Sequence, residues 1–218
     1  MNLKAALPLA LFAAALVPAQ QPAPERTVRK NVIHSRRDPA VRIELPKQVR
    51  YVGANRWTLY DVADCELHLF VEADGKKNVQ RYYWIQFEAY VPAAPTLHYQ
   101  YNSPQKVRLA EMEFDVRPRF GLSSDKPRPG SDLEHVLALL TAKGYQLPAG
   151  LVNVRLVHVP DEQKRKELMI IYGEDIAPTG FTAMEFRPGE KGHEQWPEIA
   201  KGIVQRAQER LKLERIKP

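Results

Sequence analysis

The chain has 218 residues, 44% of them hydrophobic, a formal net charge of +6 and a mean hydropathy of −0.43. Those values exclude a largely disordered chain and leave enough length to bury a sizeable core. Cys65 is the only cysteine, which excludes an intramolecular disulfide, and the diffuse positive charge lacks the interleaving of basic and stacking aromatic residues that nucleic-acid binders use.

The first nineteen residues read as a signal peptide. Lys4 supplies a short positive region, Ala5 to Val17 is apolar with Pro8 as its only break, and Val17-Pro18-Ala19 suits cleavage before Gln20. A spanning helix needs about 20 apolar residues, so the run is too short for an anchor. The pattern predicts export to the periplasm or the medium, with no stable membrane insertion after cleavage. Residues 20–40 are rich in proline and glutamine, then basic through Arg26, Arg29, Lys30, Arg36 and Arg37. They are expected to be a flexible leader, followed by a single domain over 41–218.

The first expected strand is Val41 to Leu45, closed by Pro46. Two more follow at 55–62 and 64–73, and after Asp74-Gly75 a long one at 78–91. Cys65 shares its parity with Ala63, Leu67, Leu69 and Val71, which places it on a buried face. A three-residue turn, Asp74-Gly75-Lys76, would pair Cys65 with Ile85, Leu67 with Tyr83 and Ala63 with Phe87. That register collects apolar side chains on one side and sets Glu66, His68 and Phe70 against Tyr82, Trp84, Gln86 and Glu88.

A proline-interrupted loop over 92–104 contains His98, Tyr99 and Tyr101, and 107–117 reads as one strand. A loop from Phe120 to Gly130 leads to a helix. Ser131 and Glu134 form its capping box, Gly144 ends it, and Leu133, Val136, Leu137 and Leu140 make its apolar stripe. Residues 151–159 and 167–173 read as a hairpin with a polar tip, Asp161 to Lys166. A last amphipathic helix is expected over 197–214. Grouped strands with two helices predict an α+β fold: a largely antiparallel sheet of about six to eight strands, with both helices covering one face.

No P-loop, dinucleotide fingerprint, nucleophile elbow or zinc-protease motif occurs. The six histidines are dispersed, so neither a metal nor a cofactor is expected. Tyr82, Trp84, Gln86, Glu88 and Tyr90 share one side of a strand, with His68 as polar partner in the chosen register. Rings with a few fixed polar groups suit a small-molecule pocket; the alternative is a core face covered by the last helix. A secondary candidate is the acid pair Glu174 and Asp175, leaving the end of an apolar strand. The leading functional expectation is an exported protein binding a small, partly apolar or aromatic ligand. An acid–base enzyme and a protein-docking module on the aromatic face are the alternatives.

Overall fold

The computed structural model describes residues 22–216, so the expected signal peptide lies outside the described residues. Within them the chain forms β1 (Thr27–Arg29), β2 (Val32–Arg36), β3 (Ala40–Glu44), β4 (Arg50–Leu59), β5 (Ala63–Ala73), β6 (Val79–Tyr90), β7 (Gln105–Leu109) and β8 (Met112–Leu122). Then come α1 (Asp132–Ala142), β9 (Gly150–His158), β10 (Lys166–Asp175), α2 (Trp196–Arg210) and β11 (Lys212–Arg215). A seven-stranded antiparallel sheet runs in the order β4-β5-β6-β10-β9-β8-β7, and a four-stranded one in the order β1-β2-β3-β11. The fold is α+β and antiparallel, as the grouping of strands and helices implied.

The helices lie on opposite faces of the large sheet rather than together on one. Val136 and Leu140 of α1 close a cluster containing Leu67, Leu69, Tyr82 and Trp84. Ile203, Val204 and Ala207 of α2 pack with Phe70, Tyr83, Ile85 and Phe114, and Ile33, Val41 and Ile43 of the small sheet join the same core. Both faces of β5 and β6 are therefore buried along most of their length. No helix among the described residues is long and apolar enough to cross a membrane.

Four local expectations change. The supposed leader contains β1 and β2, which pair with each other, and β2 pairs with β3; Ile33 and Ser35 are fully buried while Arg36 and Arg37 stay exposed. The strand expected over 107–117 is two strands, because Ala110 and Glu111 both take positive φ and turn the chain without glycine. The last helix stops at Arg210, and residues 212–215 pair with β3 instead.

The fourth change moves a side chain across the sheet. The turn after β5 is longer than expected: Asp74 Oδ1 accepts the amides of Lys76 at 2.8 Å and Asn78 at 2.9 Å. Pairing then runs Leu69 to Trp84, Leu67 to Gln86 and Cys65 to Glu88, while His68 lies opposite Ile85. His68 and Glu66 thus face α2 and the small sheet, away from Trp84 and Glu88.

Candidate functional site

On the α1 face, Tyr82 and Trp84 are each only 8% exposed and belong to the core that α1 covers. Tyr82 lies across the glycine paired with it on β10: a Cβ on Gly173 would sit 2.1 Å from the Tyr82 ring. The covered-core alternative describes these two rings, with α1 as the covering helix.

The polar residues of the same strand continue as a hydrogen-bonded chain. Trp84 Nε1 donates to Gln86 Oε1 at 2.6 Å, and Gln86 Nε2 donates to Glu88 Oε1 at 2.6 Å. Tyr99 OH reaches the other Glu88 oxygen at 3.3 Å. Glu88 is directly opposite Glu167 on β10, and both are buried. Tyr101 OH donates to Glu167. Arg155 donates to that hydroxyl at 3.1 Å and lies 3.6 Å from Glu167 Oε1.

Charge balance decides the protonation of this group. A third carboxyl, Asp132 at the start of α1, and the Cys65 thiol have ligand-type atoms within 4.8 Å of each other and of Glu88. Arg155 is the cation that ion-pairs with the group. Burial, then the neighbouring Glu167, pushes Glu88 up to about 8, and burial also raises Glu167, Asp132 and Cys65. Burial and the facing Glu167 carboxyl thus bias Glu88 toward its neutral form. Two carboxyls sharing a proton can accept or donate one.

The 92–104 loop lies over these acids. Tyr90, Tyr99 and Tyr101 form a ladder, with ring centroids 4.4 Å apart between the first two and 6.4 Å between the last two. Their rings line open grooves of about 500 and 710 Å³, whose other walls include Gln100, Asn102, Glu113 and His158. Arg165 holds the loop from below. Its guanidinium donates to the carbonyls of Ala94, Pro95 and Leu97 at 2.9–3.0 Å and to those of Tyr90 and Val91 at 3.3 and 3.0 Å.

The α2 face buries acids too, but each has an arginine. Glu66 accepts the backbone amides of Glu25 and Arg26 at 2.8 Å, the Arg26 side chain at 3.3 Å and His68 Nε2 at 2.9 Å. Although burial opposes ionisation, those hydrogen bonds and Arg26 take Glu66 down to about 2. Glu66, Arg26, Arg37, Arg56, Asp38 and Lys166 border a cavity of about 320 Å³, to which Glu88 and Tyr90 contribute from strand positions of the opposite parity. The secondary candidates both have local partners. Glu174 is held by Arg206 at 2.9 and 3.1 Å and by Tyr172, docking α2, and Asp175 caps the amide of Ala177 at 2.9 Å.

The structure therefore joins Trp84, Gln86 and Glu88 in one chain, places Tyr90 at the surface and removes His68 to the other side. It adds Glu167, Tyr99, Tyr101, Arg155 and Asp132. The signal for Glu167 was a lone acid opening the run Leu-Met-Ile-Ile; the tyrosines stood in an expected loop, where spacing says nothing of stacking. Comparison of the chain with family models, curated proteins and solved structures finds no match.

Proposed function

We propose that this is an exported binding protein that takes a small, partly apolar ligand against the Tyr90–Tyr99–Tyr101 ladder. The observation that carries the reading is the ladder itself: half-buried Tyr90 and Tyr101, with the buried Tyr99 ring stacked between them, border a groove rimmed by amides and charges. Such rings supply apolar area while neighbouring polar groups orient the ligand. Tyr82 and Trp84, buried under α1, contribute support rather than contact, and for the same reason offer no docking surface to a partner protein. Export rests on the first nineteen residues alone.

Native mass spectrometry of the mature protein purified from its own host tests this. A bound small molecule retained by Trp84→Phe and lost by Tyr101→Ala is the expected outcome. A clean ligand-free mass, or a ligand that Tyr101→Ala retains, overturns it. Acid–base catalysis is the second reading, favoured by the raised Glu88 carboxyl beside Glu167 directly beneath the tyrosines. In that case Glu88→Gln keeps the ligand and leaves it unconverted.

A further inference from the structure

On the α2 side of edge strand β4, three groups form a line. Glu66 and His68 are each 1% exposed, and Glu66 Oε1 lies 2.9 Å from His68 Nε2. His68 Nδ1 lies 3.2 Å from the hydroxyl of Tyr51, which is 40% exposed. The carboxylate is fixed from behind by two backbone amides and Arg26. With one proton on the imidazole, Nε2–H donates to Glu66, so Nδ1 presents its lone pair to the Tyr51 hydroxyl, which donates. Phe70 packs against the Tyr51 ring at 4.8 Å, and Phe87 meets the His68 ring edge-on at 6.5 Å, fixing both rings. The strand carries an irregularity in its pairing between Tyr51 and Gly53, a device that re-aims side chains at sheet edges.

We infer that Tyr51 is a base-activated nucleophile, a surface phenol that attacks activated acyl groups while His68, oriented by Glu66, removes its proton. A carboxylate, an imidazole and a hydroxyl in this order supply nucleophile, base and orienting group, the logic shared by convergent hydrolase triads. Burial and Glu66 raise the Tyr51 hydroxyl to about 12, so its resting form is the neutral phenol and the proton must leave as the new bond forms. In the step, the phenolic oxygen bonds to the acyl carbon, the bond to the leaving group breaks with its electron pair, and the phenolic proton passes to His68 Nδ1. The leaving group departs as an anion or collects that proton. The site is separate from the tyrosine ladder and stands or falls independently of it.

The internal comparator is Tyr60, which is more exposed, at 56%. The full mature protein is treated with p-nitrophenyl acetate, and the acetylated tyrosines are quantified by peptide mass spectrometry over time. The expected result is acetyl-Tyr51 forming roughly tenfold or more faster than acetyl-Tyr60, the lower end of what a positioned base contributes, with one equivalent of p-nitrophenolate released in a burst that Tyr51→Phe abolishes. His68→Gln, checked for an unchanged circular dichroism spectrum, is expected to bring Tyr51 down to the Tyr60 rate. Tyr51 labelling no faster than Tyr60, or a folded His68→Gln labelling like the wild type, overturns the inference. If His68→Gln does not fold, the wild-type ratio of the two tyrosines decides it alone.

Discussion

The two faces of the large sheet push the proton affinity of their acids in opposite directions. Under α2 and the small sheet, each acid has an arginine: Glu66 with Arg26, Glu72 with Arg81 and Arg210, Glu174 with Arg206. Glu66 and Glu174 are held below the ordinary carboxylate range. Under α1 and the tyrosine loop, Glu88, Glu167 and Asp132 gather around one arginine, and all three are pushed up. Burial opposes ionisation on both sides; the supply of counter-charge decides the outcome. On the compensated face each acid is tied to an arginine, and on the deficient face the acids hold their protons more tightly.

The largest expected effect comes from breaking compensation. Arg26→Met strands Glu66 in the core and should cost about 3 kcal/mol at pH 7, the low end for a broken buried pair because His68 and two amides remain. Urea denaturation measures it. The loss should shrink in acid. A carboxyl depressed to about 2 contributes fully above 4.5, its ordinary value in the unfolded chain, and that contribution disappears as pH falls toward 2.

The deficient face should give the opposite slope. Between 4.5 and about 8 the folded protein keeps a proton on Glu88 that the unfolded chain gives up. Its contribution is fully present below 4.5 and declines as pH rises, by about 1.4 kcal/mol per pH unit at the steepest. Glu88→Gln, a neutral replacement for a neutral acid, should remove that slope from a denaturation series between pH 5 and 8. If both proteins show the same slope, Glu88 is ionised and the contrast between the faces fails.

The smallest effect sharpens the comparison. Tyr83 OH donates to Glu72 at 2.6 Å, and that acid also has two arginines. Tyr83→Phe should therefore cost only about 1 kcal/mol, one net hydrogen bond, measured by the same denaturation. A loss several times larger would mean that the tyrosine, not the arginines, holds Glu72.

The legible parts of the fold were those with one wet face or a strong stop signal. β9 alternates over most of its length, and Gly144, at φ +71, ends α1 as expected, although Ser131 makes no side-chain cap and Glu134 accepts the amide of Gly130 instead. The β5–β6 register was not legible, because both faces of both strands are buried and the apolar pattern fits either alignment. What sets it is Asp74 folding the turn around two backbone amides. That single offset moved His68 across the sheet. Lys-Leu-Glu-Arg at 212–215 continues a helical pattern, so its pairing with β3 leaves no trace in the sequence. At the candidate site, strand parity found Trp84, Gln86 and Glu88; the cross-strand partner Glu167 required the tertiary pairing.

Arg165 grips the 92–104 loop through three carbonyl oxygens, and the two residues before it through two more, without touching a side chain of the loop itself. The path of the loop is thus written at a position outside it, and carbonyls are common to every amino acid. Residues 93, 94, 96 and 97 are consequently free to drift or to be randomised in a library while the loop keeps its course, which makes this segment the part of the molecule best suited to acquiring new ligand preferences without refolding anything beneath it.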